Sequence, residues 1–530
     1  MKNNCKLNKM MKNINFVFVF ACLIAILNTS CNDFLEEEVL DEISVDYIYT
    51  TENGLEIGVN ALYNLMRSYN APGGFDDRLV SNIFFLAGTD LGMTRTFHRP
   101  YGPNHTPSNF AANKWVNGYQ IIDRCNAIIT SAQDVDMDVD KKNHLLAQAR
   151  VIRGETYLDL IRMYDNILLD TTATTPQNVN DPIVYEQADP LDVFKLIDKD
   201  LSFAINNLSY NEPYGRYNKA TARHIKGKSA MWQSDWQEAA IQFDSIVERS
   251  GHTLVAINNV FGQNLKHKET LFAYTRDKLF SGDDINNATD IAGGGDGSWF
   301  GSVFTQRLYE LASGDFIAQV EHGGQSLGWS YPNDYLQSLY DKNNDKRYVA
   351  YYYPETYIAN NPESPRFGQV IPVEAYEDNF RRYHFSLKKF YDVNKEPLAN
   401  ESWKDHMYYR FAETLLLGSE AHWRLGAEGK ALDYINRIRE RAFDSNAFNF
   451  TSFTLEDYLE ESARELAFEK NRWFLLKRLG LLVERQNLYY RYGSNSSNQV
   501  PEPMKPHMVR LPIPQSQIDL MGTFPQNPGY

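Results

Sequence analysis

The chain has 530 residues, 43% of them hydrophobic and 23% charged, with a formal net charge of -15 at neutral pH. That balance excludes a disordered or membrane-embedded chain, and a body of this size buries roughly three quarters of its unfolded surface without staples. The acidic charge, and a Lys/Arg distribution with no long run beyond the N-terminus, exclude a surface that tracks phosphates, so no nucleic-acid partner is expected.

At the N-terminus Lys2, Lys6, Lys9 and Lys12 precede an apolar run from Phe16 to Leu27. The run is too short to span a bilayer comfortably and has the length of a secretory signal. Asn28-Thr29-Ser30-Cys31 follows it. Small or polar residues ending in a cysteine are where bacterial lipoproteins are cut and acylated. The usual motif has Leu three places before that cysteine; here Asn28 takes the place and Leu27 stands one further back. Residues 1–30 are therefore predicted to be a lipoprotein signal peptide and Cys31 the lipidated residue, a plain secretory signal cut nearby being the other reading. Of the four cysteines, Cys5 and Cys22 leave with such a signal; if Cys31 carries lipid, Cys125 is alone and no intrachain disulfide is expected. Cys125 lies in an apolar helical run, which suits an inert core residue.

The body, residues 31–530, is expected to be a single domain in three parts: a helical part to 250, a loop-rich insert over 251–405, and a helical part with a tail from 406. Ala222–Glu248 and Tyr409–Ala442 each pattern as two helices joined by a tight turn. Ala222, Ile225, Ser229 and Trp232, then Trp236, Ala239, Ala240, Phe243 and Ile246, make the facing stripes of the first pair. Ala431, Tyr434, Ile435 and Ile438 do so in the second. Small residues at the crossings resemble tetratricopeptide repeats, and Asn143–Tyr164 and Leu191–Leu208 pattern as further members. In the insert, Thr270–Thr275 and Tyr348–Tyr353 are β-like. The final long helix starts at a capping pattern, Thr454 to Asp457, and runs unbroken to Gly480, with Leu459, Ala463, Leu466, Trp473 and Leu476 inward and Glu460–Arg464 and Glu469–Arg472 as ion pairs.

Three short motifs point to chemistry and fail on context. Gly324-Gln325-Ser326-Leu327-Gly328 matches a nucleophile elbow, but Trp329-Ser330-Tyr331-Pro332 does not begin a helix. Asp341, Asn343 and Asp345 start like a calcium loop, yet Lys346 and Tyr352 occupy the positions that need Gly and Glu, which leaves an Asx-turn. The 11 histidines show no zinc spacing. No catalytic residue, cofactor or metal is expected.

The segment Ser462–Gly480, SARELAFEKNRWFLLKRLG, resembles a hallmark of the SusD/RagB family of nutrient-binding outer-membrane lipoproteins. Val509–Tyr530 resembles that family's ending. Trp115–Tyr119 running into Asn126-Ala127-Ile128, Arg150–Tyr157, and Asp341–Arg347 match as well, so the likeness covers the whole mature chain. The acidic residues after Cys31 resemble surface-export signals of such lipoproteins. The resemblance implies a mostly α fold, a right-handed superhelix of tetratricopeptide-like pairs with a loop-rich ligand face. It also implies a surface lipoprotein, held to the outer membrane by its lipid, that passes a glycan to a SusC-like TonB-dependent transporter and is not itself an enzyme. A peptide ligand, and less so a glycan-active hydrolase, are the alternatives. By position in the family, the loop from Asp90 to Trp115 contributes Arg95, Phe97, Arg99 and Tyr101 to the ligand site, the arginines to bond hydroxyls and the rings to stack. In the Gly-rich stretch from Asp290 to Tyr335, Trp299, Trp329 and Tyr331 are the expected open platforms for sugar rings.

Overall fold

The computed structural model describes residues 45–74, 77–95, 101–102, 105–108, 112–175, 177–278, 297–310, 314–372, 384–491 and 502–530. Residues 1–48 and 49–530 are separate compact units, and the first is described from residue 45 onward. Cys31 and the signal segment lie outside the described residues. The second unit is mostly α-helical. Its elements run α1 (Glu52–Asn70), α2 (Asp77–Ala87), β1 (Gly92–Thr94), α3 (Ala112–Ser131), α4 (Val139–Tyr164), α5 (Pro190–Asn207), α6 (Lys219–Trp232), α7 (Trp236–Arg249), β2 (Thr270–Tyr274), β3 (Ser330–Pro332), α8 (Asp334–Ser338), α9 (Lys346–Tyr351), β4 (Thr356–Ile358), β5 (Val370–Pro372), β6 (His406–Arg410), α10 (Phe411–Arg424), α11 (Glu428–Phe443), α12 (Leu455–Leu466), α13 (Asn471–Arg478) and α14 (Leu482–Tyr489). Among the described residues no helix is long and apolar enough to cross a membrane.

Helices α3 to α7 pack each on the next, and α10 lies on α7 with α11 against α10. The predicted pairs are therefore present, at α4–α5, α6–α7 and α10–α11. Local chemistry sets their limits. Asp235 caps α7 by accepting from the Glu238 amide at 3.0 Å. Between α10 and α11 the chain turns through Gly426 at a φ of 75°. The crossings need glycine. A Cβ on Gly227 would sit 2.6 Å from the Phe243 ring, and one on Gly418 would sit 2.9 Å from the Tyr434 ring. Phe243 is thus wedged, fully buried, between α6 and α10, worth about 1.5–3 kcal/mol by its burial alone. Cys125 is buried as expected, and burial pushes its thiol up.

Three expectations are corrected. Tyr348–Tyr353 is not a strand: α9 covers Lys346–Tyr351, begun by the Asp345 carboxylate, which accepts from the Arg347 amide at 3.0 Å. Nor is the final helix continuous. It stops at Leu466 and resumes at Asn471, through Phe468 and Lys470 at φ values of 60° and 67°. The break leaves carbonyls that a helix would have used, and buried cations take them. Lys389 Nζ donates to Glu465 O at 2.9 Å and Ala467 O at 3.0 Å, and Arg410 Nη2 donates to Glu465 O at 2.8 Å. The cap at Thr454 and the Glu460–Arg464 pair, at 3.3 Å, are as read from sequence. The Glu469–Arg472 pair is not: Glu469 binds Lys389 and Arg410, while Arg472 binds Asp90.

Candidate functional site

The two loops singled out in the sequence meet as a short antiparallel ribbon. β1 pairs with β3 in the register Gly92–Pro332, Met93–Tyr331 and Thr94–Ser330, and the Arg95 amide donates to Trp329 O at 2.9 Å. One end of the ribbon is bolted to the C-terminal helices. Asp90 accepts from Arg472 at 2.8 and 2.6 Å and from Arg485 at 2.7 Å. Burial alone would raise this carboxyl, but the two guanidiniums outweigh it and hold it below the usual carboxylate range. Asn333 Nδ2 donates to Asp90 O at 2.8 Å and closes the same corner.

The other strand is set by backbone bonds to the one-turn helix that follows Trp299. Leu327, Gly328 and Trp329 donate to Ser302 O, Thr305 O and Val303 O at 2.7, 3.0 and 2.9 Å. Beneath that turn, Lys395 Nζ donates to Ser302 Oγ and Gln325 O, both at 2.7 Å. Ser326, the serine of the elbow-like motif, is buried with its hydroxyl donated to Gln306 O, a structural role. Asp341 forms the expected Asx-turn, accepting from the Asn343 amide at 3.0 Å.

Trp299, Trp329 and Tyr331 do not stand open as expected; they are 6%, 8% and 1% exposed. The two tryptophan rings lie 6.3 Å apart in the core, and Tyr331 stacks on His384 at 4.5 Å. Burial pushes the His384 imidazole down to about 4, so this partner is neutral. Tyr101 is buried too, donating to Gly88 O at 2.9 Å and accepting from Trp473 Nε1 at 3.1 Å. The physical reason is shared: Gly-rich sequence sets where the chain bends, while the rings turn inward because the loops must build a core of their own. Arg95 is half-buried at the ribbon's end. Phe97 and Arg99 lie outside the described residues.

Sequence reasoning missed the segment that is tied to Ser326, just ahead of β3. From Gln306 to Tyr309 side chains alternate inward and outward, with Leu308 in a small core beside Phe316 and Tyr357, and Arg307 and Tyr309 half-buried. Arg307 Nε and Nη2 donate to the Tyr309 hydroxyl at 3.1 and 2.8 Å, and that hydroxyl donates to Ser326 O at 3.3 Å. Tyr309 is a fixed ring beside a guanidinium, which the alternation Gln-Arg-Leu-Tyr could have signalled. One cavity, about 50 Å3, lies between α6, α10, α12 and α13 and has room for a few waters.

Residues 268–530 match the family model described as the SusD family. A SusD-like protein of Formosa agariphila is 25% identical over 98% of this chain and 100% of its own length, and a SusD-like protein of Bacteroides ovatus is 23% identical over 85% and 80%. The chain belongs to the SusD family. Its fold is similar to that of a laminarin-binding SusD-like protein, with a TM-score of 0.68 and 24% identity over 91% of this chain and 100% of that one. It is also similar to surface glycan-binding protein A from Bacteroides thetaiotaomicron in complex with laminarihexaose, with a TM-score of 0.70 and 20% identity over 90% and 100%. Within this SusD-family chain, the segment Ser462–Gly480 is structural. Glu465 gathers Arg347, Arg410 and Arg441, and Arg472 bolts the ribbon through Asp90. The ending closes on itself, with Asn527 Nδ2 donating to Leu511 O at 2.7 Å and the Tyr530 hydroxyl to Arg510 O at 2.9 Å.

Proposed function

We propose that this chain binds a glycan at the outer-membrane surface, anchored through lipid on Cys31, and passes it to a SusC-like TonB-dependent transporter without chemical turnover. The observation that carries the reading is the β1–β3 ribbon, which ends at the half-buried Arg95, together with the half-buried Arg307 and Tyr309, which are tied to the carbonyl of Ser326 just ahead of Trp329 on the same ribbon. Guanidiniums donate forked bonds to hydroxyls, and a tyrosine held by three hydrogen bonds offers a ring that costs little entropy to stack. The names of the solved relatives, laminarin-binding and laminarihexaose-bound, support a polysaccharide ligand. The commitment of the Ser326 hydroxyl to Gln306 O supports a binder over a serine hydrolase. Calorimetry of the mature chain with laminarin, then with a panel of soluble plant and algal polysaccharides, tests this. Binding weakened by Tyr309→Ala supports it; no heat with any glycan removes it.

One observation favours a peptide ligand. On the β4–β5 hairpin the paired residues Ile358 and Val370 are 59% and 65% exposed. An open aliphatic pair on a two-stranded hairpin suits strand addition by an extended peptide. Heat with mixed extended peptides, abolished by Val370→Asp, with none for glycans, would select this reading.

A further inference from the structure

At the far end of the ribbon from Arg95, Tyr335 on α8 and Tyr489 at the end of α14 stack with centroids 3.9 Å apart and planes 24° apart. Both rings are half-buried. The stack is held firmly. Asn333 caps α8 through the Leu336 amide at 2.9 Å, and its Nδ2 donates to Tyr489 O at 2.8 Å. Arg485 donates to the Tyr335 hydroxyl while its Nε is fixed on Asp90 at 2.7 Å. The guanidinium carbon lies 5.3 Å from one ring centroid and 5.2 Å from the other. Equal distances to two rings stacked 3.9 Å apart place the cation beside the stack, not over an outer face. Asp334 and the exposed Arg491 adjoin the pair, the Asp334 amide donating to Arg491 O at 3.4 Å.

We infer that the Tyr335–Tyr489 stack is a second carbohydrate-contact platform, separate from the Arg95–Tyr309 face, that engages a pyranose of a polymeric glycan already held at that face. The inference rests on the glycan reading above. A pair of phenols pre-stacked by its neighbours presents flat apolar area to the C–H face of a sugar with little ordering cost, and flanking polar groups suit its hydroxyls. The span between the two places explains why a polymer would use both. Trp329, which holds Arg95, and Tyr335 are separated by a strand and one turn, on the order of 15 Å at about 3.3 Å per extended residue, or several sugar units. A ligand reaching both gains from multivalent attachment, whereas a short one gains from a single place.

The test compares laminarin, or the first panel polysaccharide that the unaltered chain binds, with its disaccharide, which is too short to reach both places. Tyr489→Ala is the primary variant. Tyr489→Leu retains apolar bulk in case alanine disturbs folding, and Tyr489→Phe retains the ring. Polymer affinity is expected to fall about 3- to 10-fold in the Ala and Leu variants and to hold in Phe, with disaccharide affinity unchanged in all. Unchanged polymer affinity in folded Tyr489→Leu overturns the inference and leaves a packing pair only. If the unaltered chain binds no glycan, the functional reading itself fails.

Discussion

In α6–α7 and α10–α11 the side chains that the helical period marks as inward are inward: Ala222, Ile225, Phe243, Ile246, Tyr434 and Ile438 are all buried. Between residues 297 and 405 the rings that look outward by sequence are inward as well. The difference lies in what each backbone repeats. A helix pair buries one stripe against its neighbour, so spacing alone names the core. The loop-rich segment has no period, and it builds small cores from whatever rings its turns bring together, such as Leu308, Phe316, Tyr353, Tyr357 and Ile371. Its backbone is then fastened by buried cations on carbonyl oxygens. Lys395 holds Gln325 O, Lys404 holds Phe261 O and Tyr391 O, and Lys389 holds the broken helix.

If charge fastens the two regions to each other, removing one buried charge should break both. Glu465→Ala strands Arg347, Arg410 and Arg441, which reach it from the insert, β6 and α11. A loss of about 3–5 kcal/mol is expected in urea unfolding, with fluorescence and circular dichroism falling together. Separate transitions would show that the regions are held independently.

Acid offers a graded version. The Glu461 carboxyl, buried but surrounded by Arg347, Arg464 and Arg439, is held at about 2 against 4.5 unperturbed; Glu413, buried beside Lys228 and His224, is also at about 2. The unfolded chain takes up these protons first. The stability they add is therefore complete above about pH 4.5 and lost as pH falls toward 2, on the order of 3 kcal/mol for each. Melting temperature measured from pH 6 to pH 2.5 should fall across that window, and Glu461→Gln should flatten the fall.

A smaller effect separates the regions. Gly227→Ala drives a methyl into the Phe243 ring and should cost about 1–3 kcal/mol without changing ligand affinity. Tyr309→Ala should do the reverse, weakening glycan binding about 10-fold with stability moved by less than about 0.5 kcal/mol. Equal stability losses from both would place Tyr309 in the core and remove it from the ligand face.

The helix pairs, the strand at Thr270, the cap at Thr454 and the family itself were legible because each rests on residues close in the chain. Of the candidate site, the pairing of two loops was legible only as two separate guesses. The residues within them were not: Tyr331 is hidden by His384, 53 positions later, and Tyr101 by Trp473. The same holds for the helix break, which no local signal at Phe468 announces, since its exposed carbonyls are answered by Lys389 and Arg410 from other elements. Sequence by itself determined a helical SusD-family body with a loop-rich insert, through period, capping and motif order. Only the tertiary structure decided which rings face solvent, because in an aperiodic segment burial depends on partners distant in the chain and not on spacing.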